Sequence, residues 1–289
     1  MELVRKIDIH AHVRSSGGLA ATFCPAETLI STYDAAGIEK AVLLPLYRDD
    51  WEFVTHPNRE AMDAVNRYPG RFAWFCGVEA MQDENTDFTA ILKGYQAMGA
   101  VGIGELISGL WFDDPKLWNL FRHAEICNMP VLFHIGDESG SYGVMDDFGL
   151  PRLEKTLAQF PNLKFFGHST PWWSHISGDA TPEQLFAYPT GPIAPGGRVV
   201  ELMRKHPNLY GDLSAGSGYN ALARDPEFAY AFLEEFQDRL CFGTDMITPD
   251  GGVTWKLTAF LDDAVTNGNI SWDAYYKISR DNAEKLLGI

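Results

Sequence analysis

Six residues of types that can bind metals or transfer protons lie at the ends of short apolar segments of the chain. They are His10, His12, Glu105, His134, His168 and Asp245. Imidazole and carboxylate groups are ligands that a divalent ion such as zinc accepts. His10 and His12 are two residues apart, so on a strand both point to the same face and can reach one ion. Alone, a His-x-His pair fits surface or core histidines equally well; its agreement with the other four favours a metal site.

Each of the later positions also has an ordinary structural explanation. His134 in VLFHIGD and His168 in FFGHS could be buried, hydrogen-bonded imidazoles. Asp245 in FGTDM could cap the next helix, since aspartate is a common N-cap. Their shared place at the end of an apolar run predicts instead that His134 and Asp245 join the first pair around one ion. We assign the other four histidines to structure, although His175 could also contact a substrate.

Eight apolar runs supply the ends on which these residues stand. Most are continuously apolar, which is typical of strands buried on both faces of a parallel sheet. Their separations of roughly 30 to 45 residues leave room for one crossover helix each. We predict a single α/β domain over residues 1–289, a distorted (β/α)8 TIM barrel; an open or seven-stranded sheet is the alternative. The runs are KIDIHAH, AVLLPLY, FAWFCGVEA, VGIGELI, PVLFHIGD, LKFFGHS, LYGDLSA and LCFGTDM.

Two long segments interrupt the strand-and-helix rhythm, Gly136–Gly149 and Thr170–Gly197. Segments of this length in a compact domain are often lids over an active site. The second contains Trp172 and Trp173, which we expect to form an apolar wall over the substrate.

Other residues after strands could bind substrate or support the ligands. Tyr47 and Arg48 follow the second run, and the Arg48 guanidinium could grip a carboxylate or make a surface ion pair. Residues 217–220 are further candidates for substrate contact. Asp212 could orient one of the ligands, and Asp8 could orient His12.

The composition of the chain argues against nucleic-acid and membrane partners. The net charge of −16 disfavours nucleic-acid binding, which depends on Lys and Arg. The four cysteines form no CxxC pair, and no apolar run is long enough to span a membrane. We expect a cytoplasmic protein that acts on a small molecule, without a membrane or nucleic-acid partner; whether it forms a homo-oligomer stays open.

These motifs together resemble the amidohydrolase superfamily, in particular its amidohydrolase-related (amidohydrolase 2) branch. The resemblance rests on IDIHAH, LFHIGD, FFGHS, LYGDLS, FGTDM and DNAEKLLGI and covers nearly the whole chain. It implies that His10, His12 and His134 are ligands and that Asp245 both contacts metal and moves protons. His168 would activate water or a carbonyl in a single-metal enzyme, or bind a second ion. Glu105 resembles the fourth-strand glutamate of two-metal relatives such as the TatD-like deoxyribonucleases; bridging two ions and simple hydrogen bonding are both open.

The predicted function follows from that site. We expect a hydrolase with one or two divalent ions, zinc by preference, in which activated water attacks a small carboxylate-bearing ester, lactone or amide. Asp245 would act as base and then acid, and His168 would stabilise the oxyanion. The alternative is nonoxidative decarboxylation of a small aromatic or unsaturated acid. A noncatalytic metal-binding barrel ranks third.

Overall fold

The eight apolar runs form eight parallel strands that are neighbours in chain order. This architecture is seen in a computed structural model that describes residues 1–14, 24–48, 55–78, 80–137, 139–246 and 252–289. The last strand meets the first through the Ile9 amide, which donates to Phe242 O at 3.0 Å, and through a bridge between Ala11 and Met246. The barrel prediction is therefore confirmed. The strands are β1 (Lys6–Ala11), β2 (Ile38–Leu43), β3 (Phe72–Cys76), β4 (Ala100–Leu106), β5 (Val131–His134), β6 (Phe165–His168), β7 (Leu209–Asp212) and β8 (Leu240–Cys241).

Helices follow every strand and cover the outside of the barrel. The first shows why they begin and end where they do: it follows Pro25 and stops at Gly37, whose φ of 72° is in the left-handed region that glycine tolerates. The helices are α1 (Ala26–Ala36), α2 (Pro57–Arg67), α3 (Phe88–Ala97), α4 (Pro115–Ile126), α5 (Pro151–Gln159), α6 (Thr170–Ser174), α7 (Arg198–Lys205), α8 (Ala215–Ala223), α9 (Pro226–Glu235), α10 (Gly252–Thr266), α11 (Trp272–Tyr276) and α12 (Asn282–Leu287), with a 3-10 turn at Pro182–Gln184 and a π-helical turn at Lys277–Asp281. Of the helices in the described ranges, none is long and apolar enough to cross a membrane.

Two apolar layers hold the strands in place. Inside the barrel, Ile7, Ile9, Phe75, Leu132 and Phe166 belong to one buried cluster. A larger cluster fills the space between the strands and the surrounding helices. Because the interior is packed with side chains, a site can form only beyond the strand ends, and the carboxyl ends are where enzymes of this fold place it.

Candidate active site

The first group of site residues spans the junction between β1 and β8. His10 and His12 come from the end of β1, and their Nε2 atoms are 3.0 Å apart. Asp245 follows β8 and is held there by its amide, which donates to His10 O at 2.7 Å. Its Oδ1 is 3.0 Å from His12 Nε2 and 3.5 Å from His10 Nε2. Three ligand-type atoms therefore surround one point.

Glu105, from β4, supplies a fourth atom to this group. Its Oε2 is 3.7 Å from the Nε2 atoms of both His10 and His12. Four ligands about 2.0 to 2.2 Å from an ion lie about 3.3 to 3.6 Å apart in tetrahedral geometry. The separations among His10, His12 and Asp245, and those from Glu105 Oε2 to the two histidines, are 3.0 to 3.7 Å and lie near that spacing.

The other oxygen of Glu105 belongs to a second group. Its Oε1 is 2.6 Å from His134 Nδ1 and 3.8 Å from His168 Nε2. The rings of these two histidines are 5.3 Å apart. Of the four residues predicted around one ion, the structure brings together His10, His12 and Asp245. Glu105 Oε2 lies near the same point, and His134 lies beside His168. That His134 binds the same ion as the first pair stays a prediction.

The hydrogen bonds of the first two histidines determine what they offer to the centre. His12 Nδ1 is 2.8 Å from Leu44 O, and His10 Nδ1 is 2.6 Å from Asp212 Oδ2. Since a carbonyl and a carboxylate only accept, both Nδ1 atoms must carry hydrogen. When neutral, each ring therefore points a bare Nε2 at the other and at Asp245. Acceptors that face one another in a dry pocket require a cation between them, so this donor set fits a divalent ion.

Electrostatics in the site also favour a positive charge. Burial lowers the pKa of His10, but the charges of Asp212 and Asp245 outweigh it and raise that pKa well above its usual value. Burial raises the pKa of Asp245, yet the charges of His10, His12 and His168 and a hydrogen bond with His12 hold it below its usual value. The carboxylates therefore stay ionised at neutral pH.

Asp8 has a different role from the predicted one. Its Oδ1 accepts from the backbone amides of His10, at 2.8 Å, and Thr244, at 3.0 Å. Its Oδ2 accepts from the hydroxyls of Thr244 and Tyr33. Burial raises its pKa to about 6. Asp8 therefore fastens β1 to the segment after β8, whereas the ring of His12 is oriented by Leu44 O.

Trp172 and Trp173 do not line the mouth, which corrects the predicted wall over the substrate. Both are buried in the layer between strands and helices. The Trp172 indole covers Gly167, where a Cβ would lie 2.5 Å from it, and Trp173 covers Gly211 in the same way at 3.2 Å. Trp173 Nε1 also donates to Asp212 O at 3.0 Å. The start of the 170–197 segment therefore packs the core.

Tyr47 and Arg48 lie beside the site, in the wall of a small cavity that Glu105 also lines. Arg48 is buried and donates through one terminal nitrogen to Gly140 O at 2.8 Å and Ser141 O at 3.0 Å. It thus fastens the segment after β5 to the barrel mouth. Its contact with a substrate carboxylate stays a prediction.

Tyr142 is a site residue that the sequence did not reveal. Its hydroxyl donates to Glu105 Oε2 at 3.3 Å, and its ring meets that of His134 edge-on at 4.7 Å. Burial and the charges of Glu105 and Asp245 raise its pKa well above its usual value, so it remains a protonated donor. The available signal was its place in a glycine-rich segment directly after a ligand strand.

Two further candidates lie away from the two groups. His175 is buried, with Nδ1 2.7 Å from Pro171 O and Nε2 accepting from the Gly149 amide, so it joins two segments structurally. Within residues 217–220, Ser217 is buried and Asn220 donates to Pro189 O at 3.1 Å.

A family model matches the C-terminal third of the chain. Residues 188–289 match the family model described as amidohydrolase. No curated protein matches the sequence. The matched segment contains Asp212 and Asp245, and the match agrees with the resemblance that the motifs suggested.

Solved structures share the fold at low sequence identity. A probable 2-pyrone-4,6-dicarboxylic acid hydrolase from Acinetobacter baumannii, with citric acid bound, is 17% identical over 99% of this chain and 100% of its own, with a TM-score of 0.58. A 5-carboxyvanillate decarboxylase from Novosphingobium aromaticivorans, with manganese, is 18% identical over 99% and 96%, with a TM-score of 0.64. A 2,6-dihydroxybenzoate decarboxylase from Rhizobium is 15% identical over 99% of both, with a TM-score of 0.58.

Proposed function

We propose that the chain is a metal-dependent hydrolase that cleaves a small carboxylate-bearing ester, lactone or amide. The observation that supports this most directly is the position of Glu105, which turns one oxygen to each group of ligands. A shared carboxylate suits two ions about 3.5 to 4 Å apart, an arrangement found in many hydrolases. We propose zinc for these nitrogen and oxygen ligands; manganese, present in a relative, is the nearest alternative.

Asp245 is the proton carrier in this proposal. A bound divalent ion would polarise the substrate carbonyl and lower the pKa of water. The Asp245 side chain is 20% exposed, whereas those of His10 and Glu105 are 0% and 2% exposed. It is therefore the ionised acid of the first group that water and substrate can reach, and it accepts the proton of the attacking water and returns it to the leaving group.

Two neighbours of the ligands complete the proposed reaction site. His168 Nε2 is 3.9 Å from Asp245 Oδ2 and supports the developing oxyanion or holds the second ion. Arg48 and Tyr47 share a cavity wall with Glu105, so they are placed to receive a substrate carboxylate. One relative's name, a dicarboxylic acid hydrolase, agrees with that substrate class.

Nonoxidative decarboxylation of an aromatic acid is the second candidate. It is suggested by the presence of 5-carboxyvanillate and 2,6-dihydroxybenzoate decarboxylases among the proteins that share the fold. The same ligands would serve either reaction, so product analysis must separate them.

The test uses protein purified without chelator and reconstituted with zinc or manganese. Metal per chain is counted, and substrates are offered in matched pairs: carboxylate-bearing lactones, esters and amides against 2,6-dihydroxybenzoate and 5-carboxyvanillate. We expect acid release from the first set, lost in Asp245→Asn, without carbon dioxide. Carbon dioxide from the aromatic acids, with no hydrolysis, would replace the first candidate by the second. The Trp255→Phe variant, at a half-exposed position on α10, is the matched control.

A further inference from the structure

We propose that Asp212 and Ser214 fix the same tautomer in two histidines, His10 and His168, so that both turn a bare Nε2 to the site. Asp212 ends β7, and both residues of the pair are fully buried. The inference deepens the proposed metal site and rests on it for its metal-binding consequence. Its first test needs neither metal nor substrate.

The protons around Asp212 can be placed one by one. Ser214 Oγ is 2.8 Å from Asp212 Oδ2 and 2.9 Å from His168 Nδ1. Asp212 faces donors on both oxygens, because Oδ1 accepts from the Ser214 amide at 3.0 Å and Oδ2 lies 2.6 Å from His10 Nδ1, as expected of a carboxylate. The carboxylate can therefore only accept, so the Ser214 hydroxyl donates its one hydrogen to Asp212 Oδ2. The hydroxyl must then accept from His168, whose Nδ1 carries the hydrogen.

The same carboxylate oxygen also fixes the first histidine. His10 Nδ1 is 2.6 Å from Asp212 Oδ2 and must donate to it. The second oxygen, Oδ1, accepts from the Ser214 amide at 3.0 Å, which stops the carboxylate from rotating. Asp212 Oδ2 thus orients the His10 ring directly, and it orients the His168 ring both through the Ser214 hydroxyl and by its own 3.1 Å contact with His168 Nδ1.

Ligand histidines gain basicity when their other ring nitrogen donates to a carboxylate, and loss of such a partner costs about 10- to 100-fold in metal affinity. In Asp212→Asn, the side-chain NH2 takes the place of one carboxylate oxygen. In one orientation it faces the backbone N–H of Ser214, and in the other it faces His10 and the Ser214 hydroxyl, so it meets a donor either way. We expect His10 to move its hydrogen to Nε2 and affinity at both positions to fall about 10- to 100-fold. Ser214→Ala leaves the bond between His10 and Asp212 in place and leaves His168 Nδ1 only its 3.1 Å contact with Asp212 Oδ2. The loss should therefore be confined to the ion near His168 and be smaller than in Asp212→Asn.

The experiment compares metal-free proteins labelled with 15N-histidine by NMR, at a pH high enough for both rings to be neutral, with His10→Asn and His168→Asn variants to assign the rings. Zinc and manganese binding are then titrated with each metal alone. Ser217→Ala is the matched control for the serine, because it removes a buried hydroxyl of α8 that has no hydrogen-bond partner within the described residues. Asp146→Asn controls for loss of a partly buried carboxylate that accepts from backbone amides elsewhere.

Three results together would support the inference. Both rings carry the hydrogen on Nδ1 in the wild type, the 15N signals of His10 change in Asp212→Asn, and those of His168 alone change in Ser214→Ala. An Nε2–H tautomer of either ring in the wild type would overturn it, as would unchanged tautomers and metal affinity in both variants. If Asp212→Asn does not fold, the Ser214→Ala spectra and titration decide alone. The supporting pattern in a protein that hydrolyses nothing would uphold the inference and refute the proposed function.

Discussion

Because Gly243 has no side chain, there is room beside it for Asp212 to contact His10 and Ser214. A Cβ at this position would lie 2.5 Å from Asp212 Oδ1, 2.8 Å from Ser214 Cβ and 3.4 Å from His10 Cβ. The φ of Gly243 is outside the left-handed region, so the backbone itself accepts alanine. Gly243→Ala therefore tests the packing around this buried carboxylate and the adjacent Ser214.

The expected size of the effect follows from these distances. An ordinary carbon–oxygen contact is about 3.3 Å, so the carboxylate must move about 0.8 Å. The 2.6 Å contact between His10 Nδ1 and Asp212 Oδ2 would then stretch beyond hydrogen-bond range. A hydrogen bond to a charged group contributes about 1.5 to 3 kcal/mol, and overpacking costs a similar amount. We expect the free energy of unfolding to fall by about 3 kcal/mol and metal affinity to fall about tenfold or more.

The assay is urea unfolding of the metal-free protein combined with metal titration of the folded protein. Gly94→Ala is the matched control: Gly94 lies inside α3 with nothing within 4 Å of its Cβ position, so alanine should stabilise the chain by about 1 kcal/mol. If Gly243→Ala has the same stability and metal affinity as the wild type, the claim that Asp212 has no room to move is refuted.

Three further predictions concern other contacts. Glu105→Gln should remove one of two bound ions and most turnover, measured as metal per chain and kcat; two retained ions with full activity would remove Glu105 from the site. Glu154 pairs with Lys205 and Arg198, which lower its pKa to about 2, so its stabilisation is complete above about pH 4.5 and disappears as the pH falls toward 2. Glu154→Gln should cost about 1 to 2 kcal/mol at pH 7 and nothing at pH 2 in denaturant titrations, with the more exposed Glu201→Gln unchanged at both. Trp172→Leu should lower the free energy of unfolding by about 2 to 4 kcal/mol while leaving KM unchanged, whereas an increase in KM alone would return the indole to the substrate pocket.

The positions of the ligand-bearing strand ends could be predicted because parallel strands end at the same edge. That geometric rule needs no side-chain detail, so His10, Glu105, His168 and Asp245 could be placed at one mouth from sequence. Helix ends were similarly accessible, as at Gly37, because proline and glycine restrict the backbone locally.

The direction of a loop side chain could not be predicted from loop composition. Aromatic residues indicate that Trp172 and Trp173 bury apolar surface, but the same composition suits a lid or a core. The distinguishing signal lay in other segments: Gly167 and Gly211 stand beside the site residues of β6 and β7 and leave room on the outer face of the barrel. The two glycines on the strands, rather than the composition of the loop, indicate where the indoles pack.

The partition of ligands into two groups follows from the circular order of the strands. Asp245 follows β8, which closes onto β1, so it lies next to His10. On the other arc, β4, β5 and β6 are neighbours, and His134 pairs in register with His168. A histidine on β5 is therefore nearer to the β6 ligand than to β1. Glu105 and His168 are on that same arc yet contact residues of the first group, Glu105 through Oε2 and His168 through its ring, so together they connect the two arcs into one site.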